Sequence, residues 1–169
     1  MENVKIPNSQ GQAIAAVLHY PATPSDKLAI LCPGRLDSKD YDHLVALSQD
    51  LAVTGYAVVR FDPTGTWESE GTIEEYTNSQ YLKDVQSVLA YMLHRQHYSH
   101  ILLGGHSQGG GIAILYAARD ARISIVLGIM PGASNLRLSA QRRAQWEQSG
   151  FKISRRDLPD KTGTKEFRL

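Results

Sequence analysis

The stretch Ile101-Leu102-Leu103-Gly104-Gly105-His106-Ser107-Gln108-Gly109-Gly110-Gly111 decides the reading of this chain. An apolar run, short enough for a buried strand, meets a glycine-rich turn. A run rich in Ala and Ile follows, Ser107–Arg119, and reads as a helix. Gly105-x-Ser107-x-Gly109 lies on the turn. A serine placed there sits on a sharp strand-to-helix bend, which pushes its hydroxyl out beyond the sheet. The backbone comes closest to its neighbours two residues before and two after the serine, where glycine carries no Cβ. A glycine-rich βα turn can instead cradle phosphate. No GxGxxG pattern or Walker lysine accompanies this one, and the strand–turn–helix setting favours a nucleophile.

The surrounding elements repeat that alternation. Val4–Pro7 and Ala13–Tyr20 read as extended segments around the turn Asn8–Gly11. Lys27–Cys32 is a short apolar run stopped by Pro33-Gly34. Asp40–Val53 carries Leu44, Leu47 and Leu51 at helical spacing, with Gly55 as its stop. Tyr56–Phe61 is a strand that leads into the turn-rich loop Asp62–Gly71. Thr77–His97 carries a stripe of Tyr81, Val85, Val88, Leu89 and Met92, the core face of a helix. His100–Leu103 is another short buried strand, Ile123–Ile129 is a further strand, and Leu138–Gln148 reads as a polar helix. Short apolar runs alternating with helices imply βαβ units, hence an α/β fold with a mostly parallel sheet covered on both faces.

Composition sets the frame. At 169 residues, 42% hydrophobic and 21% charged, the chain suits one soluble domain and argues against disorder. A net charge of +1 gives no reason to expect nucleic acid. No apolar run approaches the roughly 18 residues of a membrane span, and the N-terminus shows no apolar signal region. One cysteine, Cys32, excludes an internal disulfide framework and points to a reducing, cytoplasmic setting. Charge is unevenly placed: residues 134–169 hold nine Lys/Arg against four acids. That basic segment reads as a solvated helix and loop, or as a contact for an anionic partner.

These features resemble the α/β-hydrolase superfamily of the serine esterase, lipase and acyl-peptidase-like kind. The resemblance runs from Val4 to Ser134, about the N-terminal two-thirds of such a fold. Besides the serine turn it rests on two loops. Cys32-Pro33-Gly34-Arg35 stands where the family has its oxyanion loop, with Pro33 in place of histidine. Arg60-Phe61-Asp62-Pro63-Thr64-Gly65, with Ser69 and Gly71, resembles the family's Asp-x-Arg-Gly-x-Gly-x-Ser. There Thr64 replaces an arginine and Trp67 a glycine. The resemblance implies Ser107 as nucleophile and the backbone N–H groups of Gln108 and Arg35 as oxyanion donors, their side chains being incidental. Gly105 and Gly109 are the elbow glycines. Asp62 is expected to hold backbone N–H groups in its turn. No metal or cofactor is expected.

A serine needs a base, and the base an acid. On this fold they follow the nucleophile in the order Ser, acid, His. All six histidines, His19, His43, His94, His97, His100 and His106, precede Ser107. Each reads as structural or solvent-facing, with His106 packing in the elbow. Asp120 falls at the wrong edge of the sheet, and Glu147, Asp157, Asp160 and Glu166 lie in the basic segment. The expectation is therefore a partial core over 1–133, lacking the last two strands, followed by the start of a cap over 134–169. The function expected is hydrolysis of carboxylic esters or related acyl compounds, by a truncated chain of little activity. The alternative is a non-catalytic remnant that binds a small acyl ligand or self-associates through Ile123–Ile129.

Overall fold

A computed structural model describes residues 1–132 and 140–169. The described chain separates into two units, Met1–Gly132 and Ala133–Leu169.

The first unit is built on a six-stranded sheet. Its strands are β1 (Glu2–Pro7), β2 (Ala13–His19), β3 (Lys27–Cys32), β4 (Tyr56–Phe61), β5 (His100–His106) and β6 (Ile125–Ile129). Their order across the sheet is β1-β2-β4-β3-β5-β6. The pairs β3–β4, β3–β5 and β5–β6 are parallel, while β1–β2 and β2–β4 are antiparallel. Three helices connect the parallel strands: α1 (Asp42–Val53), α2 (Asn78–Arg95) and α3 (Gln108–Ala117). This is the α/β architecture expected from the alternating pattern.

Strand periodicity divides the core between the two faces. Leu28, Ile30 and Cys32 of β3 join Tyr81, Val85, Val88, Leu89 and Met92 of α2 and Ile112 and Ala113 of α3 in one cluster. The intervening Ala29 and Leu31 pack with Leu44 of α1 on the other face. The apolar stripe read along α2 is the buried one, and each of its five residues is at most 1% exposed. The β3 run is apolar throughout because both of its faces are covered.

Boundaries shift where a polar side chain has a better use than a helical turn. Helix α1 starts at Asp42, two residues later than its pattern suggests, because Asp40 is drawn to Lys39 and Arg60. Thr77 caps α2 and does not belong to it: its side chain accepts a hydrogen bond from the Gln80 N–H.

The second unit corrects the helix-and-loop reading of the basic segment. Part of the expected helix Leu138–Gln148 lies outside the described residues, as does the start of the expected cap region. The described helix is α4 (Ala140–Ser149). After it, β7 (Ile153–Asp157) and β8 (Thr164–Arg168) pair antiparallel as their own two-stranded sheet. These strands are too charged to stand out by hydropathy. Their charges find local partners: Arg155 Nε lies 2.6 Å from Glu166 Oε1. The Arg168 guanidinium stacks 3.9 Å from the centre of the Phe151 ring. Local pairing thus takes up part of the positive charge counted in the sequence.

Candidate functional site

Ser107 stands between the end of β5 and the start of α3 with φ 50° and ψ −116°. A non-glycine residue in that conformation costs on the order of 1–3 kcal/mol and persists only where its surroundings enforce it. The enforcement is visible. The Ser107 N–H donates to the Ile129 carbonyl at 2.9 Å, and the Ser107 carbonyl accepts from Gly111 N–H at 3.1 Å and Gly132 N–H at 2.7 Å. The end of β6 and the chain just beyond it therefore clamp the bend from one side.

The elbow glycines are needed for space. A Cβ at Gly105 would lie 2.4 Å from the Gly109 carbonyl carbon, and one at Gly109 only 2.2 Å from the Cys32 carbonyl oxygen. The first turn of α3 therefore presses against the end of β3, where the loop beginning at Pro33 leaves the sheet. This brings the Pro33–Leu36 loop beside the Ser107 bend. Arg35, expected to offer a backbone N–H there, is exposed, and Ser107 and Gln108 are half-buried.

The loop is held by three aromatic side chains whose polar atoms reach its backbone from distant positions in the chain. Tyr81 Oη donates to the Pro33 carbonyl at 2.9 Å. Trp67 Nε1 donates to the Leu36 carbonyl at 3.0 Å. Tyr76 Oη accepts from the Leu36 N–H at 3.3 Å and donates to Gln108 Oε1 at 3.1 Å, while Gln108 Nε2 reaches Asn78 Oδ1 at 2.8 Å. The Gln108 side chain is thus not incidental, because through Tyr76 it ties the helix after Ser107 to the Pro33–Leu36 loop. Trp67 adopts φ 43°, the left-handed region where the resembling motif has glycine. Its indole is the feature that accounts for the departure. Thr64, the other departure, donates both its N–H and its hydroxyl to the buried Asp84 carboxylate, each at 2.8 Å.

Beneath the loop lies a charged cluster. Asp62 is fully buried and accepts from the Lys39 N–H at 2.8 Å and the Glu68 N–H at 3.3 Å, the turn-holding role read from its position. Burial pushes its carboxyl up to about 6, against the pull of Lys39, whose Nζ lies 3.3 Å away. For Lys39, burial alone would lower the ammonium, but Asp62 and hydrogen bonds to Asp40 and Glu68 outweigh it and hold it above its ordinary value.

His19, His94, His97, His100 and Asp120, read from the sequence as lying outside the site, stay apart from it. His100 opens β5 and His106 closes it, so the two ends lie roughly 20 Å apart at 3.3 Å per residue. His94 lies in the last turn of α2, and His97 falls in the short connection between α2 and the start of β5. Asp120, past the far end of α3, is bound by Arg122 and Tyr116, and the Arg122 hydrogen bond foremost brings it down to about 2. His19 lies 3.4 Å from Ser48 Oγ. None of these joins the bend at Ser107. Two histidines given plain structural readings do gather near it: His106 and His43 meet beside Asp37.

A six-stranded α/β sheet with a strained serine on the bend after a central strand defines the α/β-hydrolase class. The chain belongs to the hydrolase family described as "Serine aminopeptidase, S33", whose model matches residues 23–161. Over 108 residues it is 31% identical to the mitochondrial palmitoyl-protein thioesterase ABHD10 of Mus musculus, a match spanning 63% of this chain and 35% of that protein. Thus the matched stretch is about a third of the curated relative. The solved structure of mouse alpha/beta hydrolase domain-containing protein 10 superposes with a TM-score of 0.70 at 25% identity, covering 95% of this chain and 62% of that one. Est1E from Butyrivibrio proteoclasticus, solved with ferulic acid, gives a TM-score of 0.72 at 25% identity, covering 98% and 67%. Among the described residues, no helix is long and apolar enough to cross a membrane.

Proposed function

We propose that this chain carries the nucleophile half of a serine hydrolase acting on carboxylic esters or related acyl compounds. The observation that carries the reading is the strained Ser107 backbone, locked by Ile129 and Gly132 and approached by the Pro33–Leu36 loop. Strain of this kind is retained where a side chain must project from its bend. In the reaction Ser107 Oγ attacks the acyl carbon and its proton passes to a base. The carbonyl oxygen takes up the negative charge, facing the N–H groups of Gln108 and Arg35. The leaving alcohol or thiol then departs as the proton is returned to it. A relative named as a palmitoyl-protein thioesterase and the structure of Est1E with ferulic acid bound support an acyl substrate. The cytoplasmic setting rests on the buried free Cys32 and near-neutral charge, while the mouse relative is named as mitochondrial.

In this reading the acid and base come from outside these 169 residues. No histidine follows Ser107. Loss of the base alone can reduce turnover by about 10⁶ where triad members act as a unit. The purified chain is therefore expected to turn over p-nitrophenyl esters near background. Prolonged incubation with p-nitrophenyl acetate should leave one acetyl group on Ser107, located by peptide mass spectrometry and lost in Ser107→Ala. Acetylation that ignores Ser107 overturns the nucleophile. Steady turnover that vanishes in Ser107→Ala overturns the incomplete site.

One observation favours a second reading, a self-associating module. Strand β6 stands at the end of the sheet, with Ile125 and Val126 45% and 43% exposed. An apolar edge strand offers unpaired backbone groups to another strand. Light scattering should then show a dimer that Val126→Lys weakens, and a monodisperse monomer at high concentration counts against it.

A further inference from the structure

Three side chains from separate stretches converge next to the Ser107 bend. Asp37 comes from the loop after β3, His43 from the first turn of α1, and His106 from the last position of β5. One ligand-type atom from each lies within 4.8 Å of the others. We propose that Asp37, His43 and His106 form a binding site for a divalent transition-metal ion of the zinc class.

The donor chemistry fits. Two imidazole nitrogens and one carboxylate oxygen are a borderline N/O set, which suits zinc, cobalt, nickel or copper over magnesium or calcium. The spacing fits as well. His106 Nδ1 lies 3.3 Å from Asp37 Oδ2. Two ligands bound tetrahedrally at zinc distances stand about 3.3–3.4 Å apart. That separation is long for a charge-assisted hydrogen bond, which runs to about 2.9 Å. His43 and His106 meet edge to face, with ring centres 5.2 Å apart. His43 is exposed, so a side-chain rotation can bring its nitrogen in. Three protein ligands leave a fourth position for water.

The surroundings are shaped for the cluster. A Cβ at Gly34 would lie 2.3 Å from Asp37 Oδ2 and 2.9 Å from His106 Nδ1, so only glycine leaves room for the carboxylate and the ring to meet. The Asp37 N–H donates to the Gly34 carbonyl at 3.1 Å, fixing the turn that carries the carboxylate. Tyr41 packs between His43 and Trp67, with ring centres 6.2 Å and 5.7 Å away, and walls one side. A bound ion would tie the loop that presents Arg35 to the residue beside Ser107. The site does not depend on what Ser107 does.

Titration of the metal-stripped 169-residue chain with Zn²⁺, followed calorimetrically, tests this. One ion per chain is expected. His43→Ala and Asp37→Asn should each weaken it at least tenfold while circular dichroism stays unchanged, and His97→Ala should not. With Co²⁺, paramagnetic shifts should fall on His43 and His106 ring protons and leave His94, His97 and His100 in place. The absence of saturable binding overturns the site. So does binding kept at full strength in both variants, or shifts confined to the His94–His100 end.

Discussion

Replacing Gly109 with alanine probes the contact on which the whole site geometry depends. The new Cβ would lie 2.2 Å from the Cys32 carbonyl oxygen, 2.4 Å from the Pro33 carbonyl oxygen and 2.6 Å from the Cys32 carbonyl carbon. Ordinary contact begins at 3.4 Å, so the helix and the strand end must part by about 1 Å. All three atoms are backbone, so no side chain can swing aside. Cys32 is the last residue of a strand paired on both sides, which also resists movement. Overpacking of this kind costs about 1–3 kcal/mol, and a rigid backbone target puts it at the upper end. Alanine returns up to about 1 kcal/mol through its helix propensity, since Gly109 lies in the first turn of α3. The net expectation is a loss of about 2 kcal/mol. For a chain of this size that lowers Tm by roughly 4–8 °C. Urea unfolding followed by circular dichroism reads the change, with Gly105→Ala as a companion because its Cβ meets the same turn from the other side. A Gly109→Ala chain as stable as the parent, within about 0.5 kcal/mol, would refute the close approach and with it the placement of the Pro33–Leu36 loop beside Ser107.

Two further perturbations test the site's energetics. Ser107→Gly should be more stable than Ser107→Ala by about 1 kcal/mol, because glycine adopts φ 50° without the Cβ penalty while alanine retains it; equal stabilities would mean that the bend is unstrained. Asp62 should titrate near pH 6 by carboxyl ¹³C NMR, since burial pushes it up to about 6 from an ordinary 3.8. Because its folded pKa lies above the unfolded one, its contribution is fully present below about pH 4 and is lost as the pH rises through 6. A midpoint below 4 would show that Lys39 outweighs the burial.

What was legible in the sequence is what short-range pattern encodes. The alternation of apolar runs with helical stripes places strands β3 and β4 and helices α1 and α2 nearly to the residue, because sheet burial and helix periodicity each leave a local mark, whereas β5 runs on to His106, three residues past the end of its apolar run at Leu103. The Gly105-His106-Ser107-Gln108-Gly109 turn was equally plain, since the close approaches its glycines permit are fixed by backbone geometry at the bend. Strands β7 and β8 leave no such mark, because Ile153–Asp157 and Thr164–Arg168 carry mostly charged residues and their pairing is settled by each other across a turn. The partners of the loop were hidden for a related reason. Trp67, Tyr76 and Tyr81 lie 31, 40 and 48 residues from the Leu36 and Pro33 groups they hold. No spacing rule connects them, and an aromatic residue in a sequence does not announce which carbonyl its polar edge will reach. The same holds for Asp37, His43 and His106. His106 is 69 residues from Asp37, and only the parallel pairing of β3 with β5 brings the ends of those strands together. Local sequence determined the bend that presents Ser107, whereas tertiary structure decided its neighbours, because hydrogen bonds and ligand-type contacts between distant segments depend on strand order and register that no local pattern records.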